Sequence, residues 1–196
     1  MTIKLNRMDG GIVDLSPDRE TQQHGLAAVL GFVSATGIAG LTVGGGFGYL
    51  TRRHGWTCDN VVSMEVVTAT GEVLRVSSRD NGDLFRALCG GSGNFGIVTS
   101  FEYRLFPVGP EILGGAVAWH GDDAKQVLDA YREFSAAAPR ELTSVAVLRM
   151  APPAPWLPKD VHGKSIVAIF VCHHAAQGTP LRLEVTQPAG HRSRDH

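Results

Sequence analysis

At 196 residues the chain can hold one ordinary domain or one and a half. Its 18 Lys and Arg against 19 Asp and Glu leave a formal net charge of −1, so no basic footprint points to nucleic acid or an anionic membrane surface. Hydrophobic residues at 43% and charged residues at 19% give a globular balance and exclude a disordered chain.

The amino terminus, "MTIKLNRMDGGIVDL", has no continuous apolar stretch after Lys4 and Arg7, so it does not read as a secretory signal. Next, "DRETQQHGLA" predicts a short helix from Asp18 to about His24, stopped by Gly25, with Asp18 and Glu20 in its first turn. Leu26 to Leu50 is the most apolar region, and Gly40 and Gly44 have the spacing of paired membrane helices. Its glycines and hydroxyls keep it below the roughly 20 predominantly apolar residues that a span requires. Thr36 to Leu50, "TGIAGLTVGGGFGYL", has six glycines and no charge. That much glycine is poor helix interior, at about 0.8–1 kcal/mol each relative to alanine, and predicts loop, or helix ends held by packing.

Val61 to Thr68 and Val73 to Ser77 are β-branched runs on either side of a glycine turn and predict a hairpin. "NGDLFRALCGG" predicts two helical turns, capped by Asn81 or Asp80 and stopped by Gly90. "IVTSFEYRLFPV" alternates as a strand ended by Pro107. Beyond it come a strand in "GPEILGGAVAW", an amphipathic helix from about Asp122 to Ala137, a strand in "ELTSVAVLRM", a proline-rich break and a buried strand in "KSIVAIFVCHH". The expected fold class is α+β: one domain over residues 1–108, the start of a second over 109–178, and a frayed tail over 179–196.

Gly91, Gly93 and Gly96 match the dinucleotide fingerprint as a string, but a helix precedes them and a strand follows, the reverse of the nicotinamide-type arrangement. No P-loop string occurs. What two glycine clusters do offer is bare backbone, whose N–H groups converge on an anion with no Cβ in the way; Thr36 adds a hydroxyl donor. The competing explanation is that each glycine only permits tight packing.

Three features lead to no site. Cys58, Cys89 and Cys172 form no C-x-x-C pair, which argues against a disulfide framework or zinc and fits a reducing cytoplasm. Cys172, His173 and His174 alternate faces on a strand and predict no metal site. His24 and His54 read as ordinary surface or satisfied positions, Arg52 and Arg53 as a solvated face in preference to a phosphate clamp, and Trp56, Trp119 and Trp156 as core or rim aromatics and not a substrate platform.

The glycine run, Asp59-Asn60, "DLFRAL" and "GNFGIVT" together resemble the FAD-binding domain of the vanillyl-alcohol oxidase and p-cresol methylhydroxylase (PCMH) type, in its berberine-bridge-enzyme-like branch. The resemblance runs from about Asp18 to Gly109 and more weakly to Cys172. It implies FAD as cofactor, with Thr36, Gly37, Ile38, Ala39, Gly40, Gly44, Gly45 and Gly46 along the pyrophosphate and ribityl chain. Gly93, Asn94, Gly96, Ile97 and Val98 would lie toward the adenosine. It implies hydride transfer from a small alcohol, sugar or aromatic substrate to flavin N5, with molecular oxygen as acceptor, and no membrane or nucleic-acid partner.

Departures accompany the likeness. The separate R-G-G-G-H-x loop of the family is not found, "DGGIVDLS" from Asp9 to Ser16 resembles the strand that follows that loop, and Val33 stands where some members carry a flavin-linked cysteine. The resemblance therefore implies a fragment, and it names no catalytic acid or base. Two readings stay open: an FAD-dependent oxidoreductase, or a non-catalytic remnant that binds flavin weakly or not at all.

Overall fold

The computed structural model describes residues 1–6, 15–109 and 111–174. The tail over 179–196 and most of the Asp9 to Ser16 segment lie outside them; Leu15 and Ser16 open a helix instead of ending a strand. The elements are β1 (Thr2–Asn6), α1 (Leu15–Gln22), β2 (Leu26–Ala27), α2 (Ile38–Val43), α3 (Thr51–His54), β3 (Val61–Val67), β4 (Val73–Ser77), α4 (Gly82–Leu88), β5 (Ile97–Arg104), β6 (Phe106–Pro107), β7 (Leu113–His120), α5 (Ala124–Ala137), β8 (Leu142–Met150) and β9 (Ser165–His173).

The expected hairpin forms the centre of an antiparallel sheet in the order β1-β5-β3-β4. Along β3, Met64 and Val66 turn into the core while Val62 and Glu65 face out, and a register shift between Val61 and Ser63 lets the strand follow β5. β1, not foreseen, pairs with β5 from Thr2 opposite Arg104 to Asn6 opposite Ser100. Its length of five residues is too short for the alternation in "TIKLN" to stand out.

α2 and α4 cover the core face of this sheet, where Ile38, Val43, Met64, Val66, Val76, Leu88, Phe101 and Tyr103 are buried together. A buried bond ties the glycine run to the sheet: Thr42 Oγ1 donates to Ile38 O at 2.7 Å and accepts from Tyr103 Oη at 2.6 Å. Tyr103→Phe, which leaves that hydroxyl without this donor, is expected to lower unfolding free energy by about 1–2 kcal/mol, read from urea unfolding.

Two local expectations are corrected. Asn81 precedes α4 with φ 50 and gives it no side-chain cap; its amide donates to Arg75 O at 3.0 Å, and Asp80 accepts from Ser77 Oγ at 3.1 Å. Ser77 and Arg75, at the end of β4, thus capture both side chains before the helix can. The strand expected to run to Pro107 stops at Arg104, and Phe106–Pro107 pairs with Leu26–Ala27 in a separate two-stranded ladder.

The second sheet has the order β7-β9-β8, with β9 central. α5 packs on one face through Val127, and Tyr131 Oη donates to Ser144 O at 3.0 Å. The proline-rich break closes part of the other face, where Ala151 and Leu157 pack on Ile166 and Ala168.

The sheets meet through α3. Arg52 donates to Ser135 O and Ala138 O, at 3.0 and 2.7 Å, satisfying carbonyls at the end of α5. Arg53 reaches His174 O at 3.3 Å and lies 3.8 Å from Glu141. Thr143 Oγ1 donates to Tyr49 O. The two arginines are exposed but form a joint, where the sequence suggested only a solvated surface.

Candidate cofactor and substrate site

The two glycine clusters, about 50 positions apart in sequence, come together. Gly90 N donates to Val43 O at 2.9 Å, and Cys58 and Thr57 donate to Gly45 O and Gly46 O at the same distance. The Asp59-Asn60 pair shapes this region from behind. Asp59 Oδ2 accepts from Trp56 N at 2.8 Å, and buried Asn60 donates to His54 O and Trp56 O at 3.0 and 2.8 Å.

Packing divides the glycines into two kinds. A Cβ at Gly46 would lie 2.6 Å from Thr57 Oγ1, one at Gly96 would lie 2.7 Å from Val67 O, and both have positive φ. Gly44 ends α2, where a Cβ would stand 3.1 Å from Gly40 O, and Gly45 needs its φ of +101. None of these requires a ligand to explain it. Gly37, Gly40 and Gly93 are different: their φ is not positive, and a Cβ would meet nothing within 4 Å. Since glycine inside or beside a helix is destabilising relative to alanine, three open positions mark a surface kept bare.

α2 begins at that surface. Its Gly37 N-cap makes no side-chain cap, its first turn has no acidic residue, and the first N–H groups, of Ile38, Ala39 and Gly40, have no intrahelical acceptor. Thr36, half-buried, is positioned by its N–H bond to Val33 O at 3.0 Å. Across the junction Gly93 and Asn94 are exposed, with Asn94 Nδ2 donating to Gly91 O at 2.9 Å. Ile97 and Val98 begin β5 and pair with Val67 and Val66, and the Ile97 side chain is largely exposed.

Beyond the run lies a feature that the sequence reading missed. Phe32, Phe47, Tyr49 and Trp56 form a chain of edge-to-face rings, with centroids 4.6 to 5.9 Å apart. Tyr49, with Ile112 and Cys172, borders two cavities. One of about 250 Å³ lies among Asp18, Phe32, Ser34, Cys172 and His174. The other, of about 490 Å³, opens on the second sheet beside Trp156 and Phe170. Four aromatics spaced along an otherwise small-residue segment were the available signal.

The titratable groups nearby are not poised as nucleophiles. Burial pushes the Cys58 thiol up and that of Cys89 to about 11, each reinforced by the other acidic groups around it, and burial raises Cys172 as well. His54 is neither the surface nor the satisfied position expected of it: half-buried, it stacks on Phe106 at 3.8 Å, and its buried Nε2 meets no partner among the described residues. His174 has both ring nitrogens buried without a partner among the described residues, and burial, with Arg53, holds it down at about 4. His24 is exposed, as expected. Among the described residues no group of three or more His, Cys, Asp or Glu is placed to hold a metal ion, and no helix is long and apolar enough to cross a membrane.

An antiparallel sheet with a bare glycine cradle, joined to a second α+β sheet across an aromatic-walled cavity, defines the class: part of a PCMH-type flavin-binding fold. Residues 5–77 match the family described as FAD binding domain, and FAD is the cofactor of that domain. The chain is 48% identical over 101 residues to the FAD-linked oxidoreductase pgmH of Aspergillus terreus, covering 52% of this chain and 20% of that one. It superposes on 6-hydroxy-D-nicotine oxidase from Arthrobacter nicotinovorans with TM-score 0.72 and 27% identity, over 90% of this chain and 37% of the other. Berberine bridge enzyme from Eschscholzia californica shares the fold, with TM-score 0.69 and 22% identity over 88% and 33% of the two chains. The chain resembles FAD-linked oxidoreductases over the residues it shares with them, and it spans only about a fifth to two fifths of the length of these relatives.

Proposed function

We propose that this chain is the cofactor-cradling part of an FAD-dependent oxidoreductase acting on a small alcohol, sugar or aromatic substrate, with molecular oxygen as electron acceptor. The observation that carries this reading is the bareness of Gly37, Gly40 and Gly93, which neither backbone conformation nor packing explains. Bound FAD would supply the hydride-accepting chemistry, and the protein supplies binding and orientation.

In this reading the N–H groups of Ile38, Ala39 and Gly40 and the Thr36 hydroxyl hold the pyrophosphate, Gly44 to Gly46 flank the ribityl chain, and Gly93, Asn94, Gly96, Ile97 and Val98 line the adenosine. Phe32 and Tyr49 shield the far end of the cofactor from water. The cofactor domain ends near residue 108, and the second sheet begins the substrate domain. A reducing cytoplasm is the compartment that suits three unpaired cysteines.

The test is the absorbance of the purified protein after incubation with excess FAD and desalting. Close to one equivalent of retained flavin is expected; a colourless protein would overturn the reading in favour of a non-catalytic remnant. Gly40→Leu separates cradle from scaffold: its side chain enters open space, so thermal stability should change by less than about 1 kcal/mol, while FAD affinity drops at least about tenfold, equal to about 1.4 kcal/mol.

A further inference from the structure

The larger cavity points to a substrate class, on the basis of the function proposed above. Residues paired across antiparallel strands share a face, so Gly114 and Ala116 of β7 stand on the same side as Cys172 and Phe170 of β9. That side, opposite α5, opens into the cavity of about 490 Å³. Phe170 meets Trp156 edge to face at 6.2 Å, and Tyr49 and Ile112 complete the wall. Among the described residues no charged side chain lines the cavity, and the polar side-chain atoms there are one phenol, one indole N–H and one thiol.

Gly114 is unusual for a strand. A Cβ there would make only an ordinary contact, 3.7 Å from Val171 O, so packing does not demand glycine. Glycine in a strand weakens it, and the position is bare on the one face where the cavity lies. The space is large enough for a ring system, within the range of small-molecule sites. A sugar presents hydroxyls around its whole rim, and burying them against these walls would leave most without partners, which is costly.

We propose that this cavity receives the body of a neutral aromatic substrate, seated against Phe170 and Trp156 and facing Gly114, and that it rejects sugars. The ring contributes edge-to-face contacts with the two aromatics, and the missing side chain at Gly114 sets the depth it can reach. Specificity therefore lies in the second sheet, and the glycine cradle of the first sheet takes no part in it.

The experiment titrates 2-naphthylmethanol, a neutral fluorescent aromatic alcohol, into the full chain and follows its emission anisotropy, with FAD retention measured in parallel. Saturable binding is expected, displaced by benzyl alcohol and unaffected by glucose. Gly114→Val should weaken binding at least tenfold, and Ala116→Leu on the same face provides a second block should the first variant fold poorly. Val117→Ala, on the opposite face and outside the cavity lining, should leave binding unchanged. Absence of saturable binding in a protein that retains FAD, displacement by glucose, or indifference to both blocking variants overturns the inference. Loss of FAD with intact, blockable naphthylmethanol binding counts against the proposed cofactor role and leaves the cavity assignment standing.

Discussion

Gly48→Ala is expected to unfold the protein or to lower its stability by more than about 4 kcal/mol, the range reserved for a small set of severe defects. A Cβ at Gly48 would lie 1.8 Å from Leu30 O and 2.9 Å from its carbonyl carbon. Both are backbone atoms, so no rotamer change relieves the overlap; the Leu30–Gly31 segment must move away from the end of the glycine run. Gly48 is also anchored by its N–H to Thr51 Oγ1 at 2.8 Å, which prevents the other side from yielding. Against a typical domain stability of about 5–15 kcal/mol, the loss is decisive. Gly45→Ala provides the comparison, since it has positive φ but open space and should cost only the backbone strain, about 1–3 kcal/mol. Circular dichroism with urea unfolding reads both; a folded Gly48→Ala protein with an unchanged midpoint would show that the close approach to Leu30 is wrong.

The second large effect is acid lability at the joint between the sheets. His174 is 3% exposed, and burial first, then Arg53, His54 and His173, disfavour its charged form; only Glu141 opposes them. Its pKa falls from 6.5 to about 4 on folding. Between those values the unfolded chain takes up a proton that the folded chain refuses, so stability declines as pH falls through this window and levels off below it. The shift corresponds to about 3 kcal/mol. His54, also lowered by burial and Arg53, acts in the same direction. Glu102 is held low chiefly by the Ser63 hydroxyl, so its stabilising contribution is lost only below the ordinary carboxylate range. Urea midpoints measured from pH 7 to pH 4 should drop for the native protein, and His174→Phe, which keeps an aromatic ring there without a titrating group, should flatten the decline. An equally steep decline in that variant would place the acid sensitivity elsewhere.

The parts of the fold that sequence conveyed are those whose stability is local. The β3–β4 hairpin is written in β-branched alternation around Gly71, and α5 in apolar spacing over four turns; both occur within a residue or two of expectation. α1 appears three residues earlier than expected and ends two earlier, at Gln22, since Gly25 is reached through a turn closed by His24 and Gly25 N–H bonds. α2 was legible only as helix ends held by packing, and packing does hold it, through Thr42 and Tyr103, 61 positions apart. Features that depend on distant partners were hidden: β1 and the two-residue ladder of β2 and β6 have too few residues to carry a pattern. At the candidate site, glycine density singled out the region, but only the surroundings of each glycine distinguish Gly46 and Gly96, which packing requires, from Gly37, Gly40 and Gly93, which it does not. The role of Arg52 and Arg53 was invisible because their partners are carbonyls of residues more than 80 positions away.

Those carbonyl partners carry an evolutionary consequence. Arg52 grips main-chain oxygens of Ser135 and Ala138, and Arg53 that of His174. Every amino acid supplies such an oxygen, so the grip survives replacement of the residues it holds, provided the backbone path is kept. The second half of the molecule is thus free to accumulate side-chain changes around Phe170, Trp156 and Gly114 without loosening its attachment to the first. The joint can therefore persist through side-chain replacement in the segments whose main chain it holds.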